Sequence, residues 1–135
     1  MAPKRQRQLT GMRGVYLVAA ELSRLGFIAS PTSRSAVGAD ILVTDQKCLR
    51  AHSVQVKTNS NPVNFWLVEK NTPVSDTHFY VLVNIGKSLE YFIIPSAEIE
   101  KKKVYSKHPN SEFWSVYRKD ILSYKDNWSL FGTPA

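Results

Sequence analysis

Apolar positions recur along the chain with two different periods, and the changes between them divide it into elements. Between Met12 and Leu25, the residues Val15, Leu17, Val18, Ala19, Leu22 and Leu25 fall at helical spacing. Gly26 follows, at the place where a helix end favours a residue that tolerates positive φ. The spacing predicts a helix over 12–25. Phe27, Ile28 and Ala29 read as a short strand, ended by Pro31 before the polar loop Thr32, Ser33, Arg34, Ser35. Ala39, Ile41 and Val43 then alternate with Asp40, Leu42 and Thr44, and beyond a polar break at 46–50, Val54 and Val56 alternate with Ser53, Gln55 and Lys57. That is the two-residue period of strands, and it predicts a hairpin.

The second half is more apolar. Phe79–Ile85 is a nearly continuous hydrophobic run, as in an interior strand, and Gly86, Lys87 and Ser88 turn it into Leu89–Ile94, closed by Pro95. Ser96 is placed to cap a short helix through Glu98, Ile99 and Glu100, with Lys101, Lys102 and Lys103 at its negative end. The lysine triplet reads as a solvated face or as phosphate contacts. Glu112–Tyr117 reads as a late strand or a segment packed over the sheet, then a short terminal helix, with Trp128 and Phe131 pinning the end to the core. Trp66 reads as a core residue in preference to a base-stacking one.

Composition narrows the class. The chain of 135 residues, 43% apolar and 21% charged, fits a single domain over 11–131, preceded by a basic, flexible tail over 1–10 and followed by a frayed end over 132–135. No stretch approaches the roughly 18 to 20 apolar residues that cross a bilayer, and the N-terminus has no apolar secretory core, so a cytoplasmic protein without a membrane partner is expected. One cysteine, Cys48, excludes an internal disulfide framework and argues against structural zinc. Eighteen Lys and Arg against eleven Asp and Glu leave +7, which suits a polyanionic partner without choosing DNA or RNA. Lys4, Arg5 and Arg7 read as phosphate contacts or as a solubilising terminus, and Arg34 and Ser35 as phosphate contacts or a surface turn.

The predicted hairpin carries the chemistry. Gln55 and Lys57 share a face with Cα atoms about 6.5 Å apart, and Asp40 faces them across one strand pair at a spacing of about 5 Å. A divalent cation between the Asp40 carboxylate and the Gln55 carbonyl then lies within reach of the Lys57 ammonium. Oxygen ligands favour Mg²⁺ or Mn²⁺ over zinc. The ion polarises a phosphoryl oxygen and activates water, while Lys57 holds or helps deprotonate that water and opposes the developing charge. This is phosphodiester hydrolysis. Glu21 lies on the apolar stripe, four residues from both Leu17 and Leu25, and needs a partner. It can complete the metal site through a water, pair with Arg24 or Arg13, or reach solvent. Each residue also has a structural reading: Asp40 as a turn residue after Gly38, Lys57 as a solvated side chain.

Taken together, Glu21, Gly38-Ala39-Asp40-Ile41 and Gln55-Val56-Lys57 resemble the PD-(D/E)XK nuclease superfamily, in branches similar to archaeal Holliday-junction resolvases, over roughly residues 12 to 94. The resemblance implies a restriction-endonuclease-like α/β fold, with a central mixed β-sheet flanked by helices. It implies Glu21, Asp40, Gln55 and Lys57 as catalytic residues, Mg²⁺ (or Mn²⁺) on Asp40, Gln55 and Glu21, DNA as substrate and a homodimer. Gln55 stands where the commonest pattern has Asp or Glu, and its carbonyl brings no negative charge to the ion. Two readings follow: a metal-dependent endonuclease, or an inactive nucleic-acid-binding module derived from the same fold.

Overall fold

The computed structural model describes residues 3–33 and 38–135. A long helix α1 (Lys4–Arg24) leads into β1 (Ile28–Pro31), β2 (Ile41–Thr44) and β3 (Ala51–Asn59), then β4 (Phe65–Val68), β5 (His78–Ile85), β6 (Leu89–Pro95), α2 (Ser96–Lys102), β7 (Val104–His108) and β8 (Ser111–Tyr117). Three 3₁₀ turns, Arg118–Asp120, Leu122–Tyr124 and Trp128–Phe131, stand where the sequence predicts a terminal helix.

The fold is α/β around a mixed sheet of order β1-β2-β3-β5-β6. All neighbours in it are antiparallel except β3 and β5, which run parallel in the register Gln55↔Tyr80 and Lys57↔Leu82. A parallel pair cannot be joined by a tight turn. The chain between β3 and β5 crosses over and lays down β4, which leaves the central sheet for a second, antiparallel one of order β4-β8-β7.

The two sides of the central sheet hold separate cores. On one, Val18 and Leu22 of α1 pack on Ile41, Val43, Val54, Val56, Val81 and Val83, with Phe131 closing the end. On the other, Tyr80, Leu82, Phe92 and Ile94 meet Trp66 and Val116 of the second sheet, Ile99 of α2 and Ile121. Every residue of β5 is buried, and its alternate side chains serve the two cores, which explains its unbroken apolar run. Trp66 is a core residue, its indole Nε1 donating to the Val83 carbonyl at 3.0 Å.

α1 begins at Lys4, with Arg7 N–H donating to the Pro3 carbonyl, eight residues before the predicted start. Lys4, Arg5 and Arg7 therefore lie in the first turns of a helix. Lys, Arg and Gln are good helix formers, and their lack of apolar periodicity hides them from a hydrophobic pattern. At the other terminus, the Pro134 carbonyl accepts a hydrogen bond from Gln46 N at 2.7 Å. Ser96 does not cap α2 as predicted. Its buried hydroxyl instead donates to Ser75 O and accepts from Ser75 N, tying down the approach to β5. Among the described residues no helix is long and apolar enough to cross a membrane.

Candidate active site

The predicted hairpin is present, and it ends where the chemistry is expected. β2 pairs with β3 from Thr44↔Ala51 to Ile41↔Val54, then stops, while β3 continues to Asn59. Asp40 follows the last β2 pair. Its N–H donates to Val54 O at 2.7 Å, and its carbonyl accepts from Thr32 N at 2.9 Å. Beyond that point β3 has amides on its β2 side that no strand among the described residues receives. The Asp40 carboxylate takes one, Oδ2 accepting from Val56 N at 2.8 Å. The residue that terminates one strand thus caps the free edge of the next, and its carboxylate is fixed beside the Gln55–Lys57 segment.

A cleft of about 310 Å³ opens at this edge. Asp40, Gln55 and Val56 form one wall, Thr32 and Ser33 of the loop after β1 another, and Gln8, Met12 and Tyr16 of α1 a third. Close approach of α1 to β3 depends on Gly14, where a Cβ would overlap the Thr58 hydroxyl.

Lys57 is on the same face of β3 as Gln55, as its spacing predicts, but its ammonium has a partner. It bonds Glu69 Oε1, just past β4, and Glu69 Oε2 accepts from the Tyr80 hydroxyl at 3.0 Å. Burial opposes ionisation of Glu69, yet the hydrogen bond and charge of Lys57, with help from Tyr80, hold its carboxyl below the usual range. Glu69 is therefore a carboxylate at neutral pH. Burial, and then the Glu69 charge, push the Tyr80 hydroxyl well above its ordinary value, so it remains a donor. His78 extends this polar row along β5. Its Nδ1 lies 2.6 Å from Ser53 Oγ, and its buried Nε2 has no hydrogen-bond partner among the described residues. Burial pushes the pKa of the ring below its ordinary value.

The other predicted residues fall elsewhere. Glu21 is not among the residues that line the Asp40 cleft: its carboxylate is gripped by the Arg24 guanidinium, one turn along α1. That hydrogen bond lowers its pKa in spite of burial. It sits six residues beyond Val15, the nearest cleft-lining position before it being Tyr16, which is more than a full helical turn away. The partner it needs is Arg24, one of the alternatives its position on the stripe allows. Arg34 and Ser35 lie outside the described residues. Arg5 lines a shallow surface of α1 with Leu9 and Arg13.

The chain has a distant likeness in fold to a solved structure. That structure is Hjc of Archaeoglobus fulgidus, a Holliday junction resolvase from an archaeal hyperthermophile, at 11% identity and a TM-score of 0.49, with 84% of this chain and 88% of that chain covered. No family model and no curated protein matches.

For a divalent cation the donor set is lean. Among the described residues no three His, Cys, Asp or Glu side chains are grouped to hold one. Asp40 and Gln55 both line the cleft, and a carboxylate with an amide oxygen is a donor pair that would suit Mg²⁺, an ion that keeps several waters and binds through one or two carboxylates together with substrate phosphate. Glu69 is the functional candidate that the pattern of the sequence hides. Alternation along β4 buries Trp66 and Val68 and would turn residue 69 outward with Phe65 and Leu67. The strand ends at Val68, and the carboxylate turns inward to Lys57.

Proposed function

We propose that the chain is a metal-dependent endonuclease of the PD-(D/E)XK type that hydrolyses DNA phosphodiester bonds. The observation that carries this reading is the Asp40 carboxylate held on Val56 N–H, in one cleft with Gln55 and on the strand that bears Lys57. Asp40 and Gln55 are the residues that would hold Mg²⁺ or Mn²⁺. When bound, the ion supplies Lewis-acid polarisation of a phosphoryl oxygen and offsets charge at phosphorus. Lys57 Nζ, oriented by Glu69, donates to the attacking water or to the phosphoryl oxygen where negative charge grows. The basic first turns of α1, with Lys4 and Arg5, lead the DNA backbone toward the cleft. A homodimer belongs to the same reading and is read by sedimentation.

The test incubates purified protein with linear, supercoiled and four-way DNA in Mg²⁺ and in Mn²⁺, beside Lys57→Ala and Asp40→Ala. Metal-dependent loss of intact DNA is expected for the wild type, abolished by Lys57→Ala and strongly reduced by Asp40→Ala. Equal behaviour of wild type and mutants on all three substrates would remove the proposal.

A second reading has its own observation. Lys57 is already neutralised by Glu69, and position 55 lacks the acid. A nucleic-acid-binding module without turnover predicts salt-sensitive binding that survives both substitutions and no cleavage in either metal.

A further inference from the structure

We propose that the outer face of the β4-β8-β7 sheet is a stacking platform for unpaired bases, a binding site for single-stranded nucleic acid separate from the Asp40 cleft. The strands of this sheet bury Trp66 and Val116 against the central sheet, so the alternate residues face outward. Phe65 and Leu67 of β4, Phe113 and Tyr117 of β8 and His108 of β7 line a shallow groove of about 330 Å³.

The shape of the groove suits flat rings. Ser115, in the middle of the central strand, is the small floor of the face, cross-strand from Leu67 and Val104. An aromatic pair stands on either side of it: Phe65 with Tyr117, ring centroids 6.3 Å apart, and His108 with Phe113, 5.2 Å apart. Neither pair is stacked face to face, the ring planes meeting at 53° and 72°, so ring surface remains for another aromatic group. Phe65 is 42% exposed and Leu67 52%.

Charge selects the occupant. Among the described residues no carboxylate lines the groove, and the ammonium of Lys119 lies 5.9 Å from the Tyr117 ring at one end. Glu112 lies on the opposite side of β8 and is engaged by the Tyr105 hydroxyl. A second copy seated face to face here would offer Lys119 no carboxylate from the residues that line the groove, whereas a polyanion with exposed bases meets both the rings and the net charge of +7. The inference shares with the proposed function only the polyanionic partner, and needs neither the metal nor cleavage.

The test measures fluorescence anisotropy of a labelled twelve-nucleotide oligothymidine and of a duplex of equal length, in EDTA, with the full chain. The proteins compared are the wild type, Phe65→Ala/Phe113→Ala, and Phe65→Leu/Phe113→Leu, which keeps apolar volume but removes the ring faces. Both double variants are expected to lose about tenfold or more in single-strand affinity, by the weight of base stacking on aromatic side chains, while duplex affinity stays within about twofold. Unchanged single-strand binding in the leucine variant overturns the platform, as does a wild-type dimer that both variants dissociate in sedimentation. Cleavage assays on the same preparations separate the two readings. Aromatic-dependent binding without cleavage removes the nuclease alone, and cleavage with ring-independent binding removes the platform alone.

Discussion

An ammonium held by a carboxylate is oriented by it and also partly neutralised, and Lys57 is in that position with Glu69. If orientation dominates, Glu69→Gln loses the fixed geometry of Nζ, and under the proposed nuclease reading DNA cleavage falls by about 10- to 100-fold, the usual loss when a supporting residue around a metal site is removed. If neutralisation dominates, the same substitution raises cleavage. Steady-state cleavage of the best substrate, with Mg²⁺ dependence measured alongside, distinguishes the two. Thr58 offers a test without catalysis. Its hydroxyl is buried beneath α1 with no hydrogen-bond partner among the described residues, so Thr58→Val, which keeps the shape and removes the polar atom, is expected to raise the melting temperature. At this scale the sequence makes Asp40, Gln55 and Lys57 visible because strand alternation assigns faces to side chains. Glu69 stays invisible because its direction depends on where β4 ends, and for Glu21 the stripe position leaves several partners open, of which Arg24, three residues on, is the one it takes.

Among elements, the contact that sets the cleft is α1 on β3, and Gly14 permits it. A methyl group at position 14 would press on Thr58, so Gly14→Ala must push the helix outward. The expected cost is about 1–3 kcal/mol, by the usual penalty of overpacking, read as a lower denaturation midpoint at unchanged m-value. Under the proposed nuclease reading cleavage falls as well, since Gln8, Met12 and Tyr16 would recede from Asp40. The hairpin of β2 and β3, the fully buried β5 and its partner β6 follow directly from local pattern. β7 does not: Val104–His108 is short and mostly exposed, and only its pairing with β8 across the two-residue connection Pro109-Asn110 defines it. Nor does anything within Phe65–Val68 say that β4 joins β8 and not β3, because strand partners are chosen by packing between sheets.

For the molecule as a whole, Glu90 ties the last third of the chain to the central sheet. Its carboxylate is bonded by Arg118 at 2.7 Å, lies 3.4 Å from Lys125 Nζ, and is approached by Asn84. Arg118 foremost, against the opposing effect of burial and with help from Asn84 and Lys125, draws its pKa from 4.5 down to about 2. A folded-state pKa below the unfolded value means that the stabilisation is complete above about pH 4.5 and is lost as pH falls toward 2. Thermal melts over that range are expected to show a loss of stability that Glu90→Gln lacks, the variant being less stable at neutral pH. The parallel seam between β3 and β5 has a consequence of a different kind. The meander β1–β3 and the hairpin β5–β6 can each form from neighbouring stretches of chain, but joining them requires a loop from Asn59 to His78 to close. Gln55 and Lys57 lie on that seam, so the protein should acquire competence late in refolding, with backbone amides of the two halves protected from exchange before any activity returns.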